Sequence, residues 1–201
     1  MAVFPYESQW GDLACNAPLI EHGADPAEYF DWRADGYPSV EEYRFWARHV
    51  CGLASLRSVL RGWFSESSPM YDLVRAAERH GALVRRDDTV DGLYYRPFLV
   101  WARAELGLDG EVVEHAEAEE ALRLIDEDRV FLASVSPEIR YPDRPNLRRG
   151  GHLVLAHRFD GATVTFHNPS GVRDTAEDAR LDVATFARFF AGRGVTLRRV
   201  G

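Results

Sequence analysis

Residues 150–171 concentrate side chains that could take part in acid–base chemistry. Their sequence, GGHLVLAHRFDGATVTFHNPSG, carries the histidines His152, His157 and His167, together with Asn168 before a proline. The other residues are mainly the apolar and threonine residues of ordinary strands, so the pattern predicts a β-hairpin. A histidine on such a hairpin can act as a general base when a nucleophile lies within hydrogen-bond reach.

The candidate nucleophile is Cys51, which stands at the start of a predicted helix. In the segment CGLASLRSVLRGWF, apolar side chains recur at helical spacing at Leu53, Leu56, Leu60 and Trp63. The free backbone N–H groups and the positive dipole end of a helix N-terminus favour a thiolate. We therefore expect Cys51 to be poised near neutral pH if His152 lies beside it.

The expected turn of the hairpin brings His152 close to Asn168. A three-residue loop would pair Phe159 with Thr163 and, in the same register, Val154 with Asn168, on the face that carries His152. The amide oxygen of Asn168 could then orient the imidazole ring and fix its tautomer. A two-residue loop without a bulge would turn Asn168 to the opposite face.

The same register assigns the other two histidines to a different role. It pairs Ala156 with Phe166 on the shared face, whereas His157 and His167 alternate onto the other face. We expect these two to be scaffold or solvent-facing residues.

The remaining elements suggest an α+β fold. Periodicity and capping signals, among them Ser39 with Glu42, predict helices over residues 40–50, 51–64, 70–80, 96–106, 118–128 and 183–190. Runs rich in β-branched residues predict strands over 111–115, 129–136 and 194–200, besides the hairpin. Helices concentrate in the first half and strands in the second, which predicts an N-terminal helical layer, including the nucleophile helix, packed on a mostly antiparallel sheet.

Length and composition indicate a single domain over residues 1–201. With 46% hydrophobic residues the chain can bury one sizeable core, and it contains neither an apolar run of about 18 residues nor a basic, then apolar, N-terminal segment. We therefore expect a cytoplasmic protein without membrane association. The net charge of −8 argues against nucleic-acid binding, and the absence of lysine excludes Schiff-base chemistry.

Three motifs together resemble the papain-like cysteine peptidases, in particular the branch that includes bacteriocin leader peptidases. They are CGLASLRSVL, then GGHLVLAHRFDG about a hundred residues later, then VTFHNPSG. That branch is similar in having Cys-Gly-x-Ala at a helix start, Gly-His on a strand and Asp-Pro or Asn-Pro on the next strand. The opening VFPYESQWG also looks like its N-terminal strand, which ends in a glutamine.

The resemblance implies a role for each matching residue. Cys51 would be the nucleophile, His152 the general base and acid, Asn168 the orienting residue, and Gln9 a side-chain donor to the oxyanion beside the backbone N–H of Cys51. The expected substrate-binding residues are Trp10, Gly151 and Arg149. The implied reaction is cleavage of a peptide or small amide or ester through a thioester, without a cofactor.

The chain departs from the family pattern in one respect. The family usually has its glutamine a few residues before the cysteine, whereas 41 residues separate Gln9 from Cys51. Residues 11–50 are therefore interpreted as an insertion, either a lid or cleft wall or a packed helix with a solvated loop. Cys15 has the family spacing from Gln9, but CNAPLIEHG lacks both the glycine and a clear helical apolar stripe, so Cys51 is preferred.

Other functions remain open at this point. The same triad could transfer the acyl group to an amine instead of water, giving ligation or cyclisation. A non-catalytic binding module is the second class, because Gly52-Leu53 stands where relatives often have Gly-Pro. A zinc site from His49, Cys51 and a hairpin histidine is the third and is disfavoured, because the spacing matches no recognised pattern.

Overall fold

The computed structural model describes residues 2–200 and is organised around antiparallel strands. The strands, in chain order, are β1 (Leu83–Arg86), β2 (Thr89–Gly92), β3 (Leu108–Asp109), β4 (Val112–Glu114), β5 (Arg129–Val135), β6 (His152–Phe159), β7 (Thr163–His167), β8 (Ala179–Asp182) and β9 (Phe190–Arg199). Seven of them form one sheet in the order β3-β9-β5-β6-β7-β8, with β4 also paired to β9, and β1 and β2 form a separate hairpin. Every one of these strand pairs is antiparallel.

Most of the helices precede the main sheet in the chain. Within residues 2–200 the α-helices are α1 (Asn16–His22), α2 (Val40–Trp46), α3 (Cys51–Phe64), α4 (Met70–Arg79), α5 (Tyr95–Glu105), α6 (Ala118–Leu122) and α7 (Val183–Ala187). The predicted cap of α2 is present, because the side chain of Ser39 accepts a hydrogen bond from the N–H of Glu42 at 3.2 Å. None of these helices is long and apolar enough to cross a membrane.

The sheet buries both of its faces. Along β5, Val130 and Leu132 pack with the helices of the first half of the chain. The alternating residues Phe131, Ala133 and Val135 instead pack with residues of α6 and α7. This period of two is what a strand buried on both sides requires.

The mixed α+β class predicted from the sequence is confirmed. The observed architecture differs from the expected one in having a second helical layer. Helices α6 and α7 cover the face of the sheet opposite the larger helical layer. The predicted helix over 118–128 is shorter than expected and ends at Leu122.

The β6–β7 hairpin reaches the expected register by an unexpected route. Near the turn, Phe159 pairs with Val164 rather than with Thr163, and the N–H of Asp160 donates to the carbonyl oxygen of Thr163 at 3.2 Å. The loop is therefore the two residues 161–162, and the predicted three-residue loop is wrong. A register shift around His157 then restores the expected pairing of Ala156 with Phe166. The bulge adds one residue to β6, which compensates for the shorter turn and returns the far end of the hairpin to the predicted face.

The segment 11–50 is folded onto α3 rather than standing free of it. Its aromatic side chains Tyr37, Tyr43 and Trp46 are buried in the larger core. Arg57 of α3 is a second anchor, because its guanidinium pairs with Asp35 of this segment at 2.6 Å and with Glu7 of the N-terminal segment at 2.8 Å.

Candidate active site

A cleft of about 510 Å³ lies where the start of α3 meets the start of β6. Cys51 and Gly52 of α3 line one side of it, next to His152 and Leu153 of β6. The opposite wall comes from the end of the β1–β2 hairpin and the start of α5, at Gly92, Leu93, Tyr94, Tyr95, Arg96 and Pro97. The nucleophile and the general base predicted from the sequence therefore share one cavity.

Gly52 explains how α3 can approach β6 so closely. A Cβ atom at this position would lie only 2.8 Å from Cδ1 of Leu153, the residue after His152. A larger residue after Cys51 would therefore push the helix start away from the strand.

His152 and Asn168 form the pair expected from the hairpin. Nε2 of His152 lies 2.7 Å from Oδ1 of Asn168, and both side chains are buried. Oδ1 also accepts a hydrogen bond from the backbone N–H of Ser170 at 3.2 Å, which identifies it as the oxygen. Nε2 therefore carries the hydrogen and donates it, so the lone pair of His152 is on Nδ1.

Nδ1 of His152 has no hydrogen-bond partner within residues 2–200, and no hydrogen bond joins it to Cys51. Such catalytic contacts are often long in unliganded enzymes and tighten when substrate binds.

Arg140 is linked to the His152–Asn168 pair through Ser170. Its Nε donates to the carbonyl oxygen of Ser170 at 2.8 Å and to Oγ of Ser170 at 3.0 Å. Oγ of Ser170 in turn lies 3.1 Å from Nε2 of His152. The half-buried guanidinium has no carboxylate within 4 Å among the described residues, so it acts on the site as an uncompensated positive charge.

The environment of Cys51 opposes ionisation more than its helix position favours it. Burial raises the pKa of the thiol above its ordinary value, and the backbone N–H groups of Leu153 and Gly52, together with Arg140, offset only part of this rise. Burial lowers the pKa of His152 to about 3, and the charge of Arg140 adds to this effect, whereas the hydrogen bond with Asn168 opposes it.

Both shifts favour the neutral thiol and the neutral imidazole over a thiolate–imidazolium pair, the opposite direction to the one expected from the helix position of Cys51. Desolvation explains the difference, because it penalises both charged forms and exceeds the stabilisation that a helix N-terminus supplies.

Replacing Arg140 tests this electrostatic description. Arg140 lowers the pKa of both Cys51 and His152. We expect Arg140→Gln to shift the pH profile of Cys51 alkylation by iodoacetamide to higher pH, because the thiolate loses a stabilising charge. Arg144→Gln, a nearby exposed arginine stacked on Tyr141, is the control and should leave the profile in place. An unchanged profile in Arg140→Gln would show that this charge does not act on the thiol.

Gln9 lies beside the site but does not line the cleft. Its backbone N–H donates to the carbonyl oxygen of Pro169 at 2.9 Å, and its Nε2 donates to the carbonyl oxygen of Ala47 at 2.9 Å. Segment 11–50 therefore brings Ala47, four residues before Cys51, into contact with Gln9. One hydrogen of Nε2 is used by Ala47, which leaves the second for another acceptor.

The three residues expected to bind substrate have different locations. Gly151 lines the cleft, and a Cβ built on it would meet nothing within 4 Å. Arg149 lines a smaller adjoining cavity instead. Trp10 lines neither and is only 6% exposed, because its indole packs into the larger core; the expectation for Trp10 is not supported.

Buried hydrogen bonds hold the turn that follows Asn168. The side chain of Asn16 donates to the carbonyl oxygen of Gly171 at 2.6 Å and to the hydroxyl of Tyr6 at 2.7 Å. That hydroxyl donates to the carbonyl oxygen of Asn168 at 3.0 Å. Asn16 belongs to segment 11–50, which therefore supports the turn after Asn168; this connection carried no signal in the sequence.

The other two hairpin histidines form a structural contact. With Asp178 they place ligand atoms within 4.8 Å of one another, a spacing that could hold a metal ion. Nδ1 of His167, however, accepts from the N–H of Asp178 at 3.0 Å, and its Nε2 donates to the carbonyl oxygen of Phe4 at 2.7 Å. With both nitrogens engaged, His167 fastens the N-terminal segment to the hairpin, in agreement with the scaffold role expected for it.

Sequence reasoning missed most of the wall opposite Cys51. Residues 92–95 precede the predicted helix and carry no periodic pattern, and Ser134 and Arg193 lie on strands whose pairing places them at the cleft. Comparison with protein-family models and with curated proteins finds no match to this chain. The chemistry must therefore be inferred from the geometry of the site.

Proposed function

We propose that this protein is a thiol-dependent acyl-transfer enzyme of the papain-like type, in which Cys51, His152 and Asn168 form the catalytic triad. The observation that carries the proposal is the hydrogen bond between buried His152 and Asn168 at the edge of a cleft that Cys51 also lines. It leaves the lone pair on Nδ1, the atom that must accept the thiol proton.

Asn168 supports the proposal in a second way. Its Nδ2 is buried and has no hydrogen-bond partner within residues 2–200. An unsatisfied buried amide costs about 1–3 kcal/mol, which an apolar side chain of similar size would avoid. A costly side chain that also orients the imidazole is typical of a functional position.

The proposed reaction proceeds in two steps. Sγ of Cys51 attacks the carbonyl carbon of an amide or ester while Nδ1 of His152 takes the thiol proton. The backbone N–H of Cys51 and the free amide hydrogen of Gln9 would stabilise the oxyanion. His152 returns the proton to the leaving group, and a thioester remains.

An acceptor molecule then completes the cycle. Water attacks the thioester carbonyl as His152 takes its proton, and the acid is released as the thiol re-forms. An amine acceptor would follow the same path to a new amide, so peptide or amide hydrolysis is the proposed reaction and transfer its variant.

The first test is the pH dependence of alkylation at each cysteine. Iodoacetamide modification of Cys15 and Cys51 would be followed by mass mapping in the parent protein and in His152→Ala. We expect Cys51 to react at pH 7 and the rate to fall at least about tenfold in His152→Ala, because the variant has no acceptor for the thiol proton.

His49, the other histidine that lines the cleft, provides the matched control. His49→Ala should leave the rate at Cys51 unchanged. If Cys51 follows an ordinary thiol profile that His152→Ala does not alter, the triad is wrong and a non-catalytic binding module becomes the better description.

A further inference from the structure

The end of the cleft near Arg193 has a charge opposite to that of the whole protein. The chain carries 32 acidic residues against 24 arginines, yet the two adjoining cavities are lined by Arg96, Arg149 and Arg193 and by a single carboxylate, Glu114. None of these three guanidinium groups has a carboxylate within 4 Å among the described residues. A cleft built from an average part of this surface would be acidic instead.

Arg193 is directed away from its obvious partner. It lies directly opposite Glu114 in the β4–β9 ladder, a position from which opposite charges usually form an ion pair. Its Nη2 instead lies 3.1 Å from the point where a Cβ on Gly150 would be, and Oγ of Ser134 lies 3.3 Å from the same point. The guanidinium therefore reaches the backbone just before His152.

Two hydroxyl side chains, those of Tyr95 and Ser134, share the cleft with this guanidinium. Burial raises the pKa of Tyr95, and the proximity of Ser134 and Arg193 offsets part of that rise. Tyr95, Ser134 and Arg193 all line the cleft that contains Cys51. A fork of N–H donors beside neutral hydroxyls is suited to a carboxylate.

We infer that the substrate of this enzyme carries a carboxylate a few bonds from the scissile carbonyl and that Arg193 binds it. The inference rests on the proposed function for the identity of the scissile bond, but the anion site itself is defined by Arg193, Tyr95 and Ser134. The Arg193 guanidinium lies against Gly150, which is two residues before His152 and therefore within about 7 Å of it along the backbone, and Arg193 and Cys51 line the same cleft.

Pairs of alkylating agents of similar shape, one charged and one neutral, test the site without knowledge of the substrate. The probes are N-iodoacetyl derivatives of glycine and of 4-aminobutyrate, each compared with its own carboxamide. Rates at Cys51 would be measured at a single pH of about 9, so that the thiolate fraction is the same for both members of a probe pair and cancels from the carboxylate-to-carboxamide rate ratio, whether or not His152 activates the thiol.

The expected results have opposite signs for the two charged residues. Arg193→Gln should lower the ratio about tenfold for at least one spacer, the size expected for one charge-assisted hydrogen bond. Glu114→Gln should raise it, because the only lining carboxylate is removed. Arg199→Gln, six positions further along β9 and outside both cavities, should leave it unchanged.

The anion site and the catalytic triad are separate hypotheses, and each can be contradicted without the other. A ratio that neither Arg193→Gln nor Glu114→Gln changes would overturn the anion site, even if His152→Ala slows alkylation by the neutral reagent. Loss of the His152 effect with a ratio that still depends on Arg193 would overturn the triad and leave an anion-binding cleft.

Discussion

Cys51→Ala is expected to lower the turnover of an activated ester, such as a p-nitrophenyl ester, by at least about 10³-fold. The expectation follows because Sγ of Cys51 forms the covalent bond in the proposed mechanism, and alanine offers no atom that can replace it. The measurement is the steady-state rate of nitrophenolate release, with mass spectrometry of the trapped acyl-enzyme as the second readout. The parent protein should show an acyl adduct on the peptide that contains residue 51, and the variant none.

Two further variants make this result specific. Cys15→Ala removes the other thiol, which is free and fully buried outside the cleft, and should retain turnover. Ser170→Ala removes the hydroxyl 3.1 Å from Nε2 of His152, the one alternative nucleophile in contact with the imidazole. Ser170 is itself fully buried, so a moderate loss is expected. Activity in Cys51→Ala together with none in Ser170→Ala would identify Ser170, and not Cys51, as the nucleophile.

Arg57→Met is expected to lower the free energy of unfolding by about 3–5 kcal/mol, the cost of breaking a buried ion pair from one side. The side chains of Arg57, Glu7 and Asp35 are 7%, 5% and 14% exposed. Without Arg57, the Asp35 carboxylate has no cation within 4 Å among residues 2–200, and within the same residues Glu7 keeps only its contact with Arg61. Urea unfolding followed by tryptophan fluorescence and circular dichroism would measure the change.

The matched controls separate the lost partner from the lost packing. Arg61→Met removes a guanidinium that is 43% exposed, so it should cost no more than about 1 kcal/mol. The triple variant Glu7→Gln, Asp35→Asn, Arg57→Met removes the charges together and should recover most of the stability lost in the single variant. A triple variant as unstable as Arg57→Met would show that the cost arises from packing rather than from unpaired charge.

The strongly patterned elements could be predicted from the sequence. The helix from Cys51 to Phe64 was expected over the same residues, because its apolar stripe is sustained for four turns. The run over 129–136 predicted β5, which pairs on both sides in the middle of the sheet. In both elements the local pattern and the tertiary burial favour the same structure.

The hairpin shows why a correct face can follow from an incorrect turn. The side chain of Asp160 accepts hydrogen bonds from the N–H groups of Ala162 at 2.9 Å and Thr163 at 2.7 Å, which tightens the turn beyond the three-residue loop that was expected. The bulge near His157 compensates for the tighter turn, and no residue type in the segment predicts a bulge.

The cleft wall could not be predicted because its elements lack local signals. The strands β1 and β2 have only four residues each, and their sequences LVRR and TVDG show no apolar alternation. Arg193 reaches the cleft only through the pairing of β9 with β5 and β4, a contact between distant parts of the chain. The direction of the pKa shift of Cys51 could likewise not be predicted from the sequence, because it depends on desolvation in the assembled fold.

The position of β9 in the sheet has a consequence for the biosynthesis of the protein. This last strand, Phe190–Arg199, pairs with β5 in the sheet interior, and β5 holds β6 and therefore His152 on its other edge. A ribosome releases Cys51 about a hundred residues before His152 and later still the strand that completes the sheet. The nascent chain thus presents Cys51 without its neighbour His152 while about a hundred residues are added, and the proposed catalytic arrangement is complete only when β9 has been inserted beside β5.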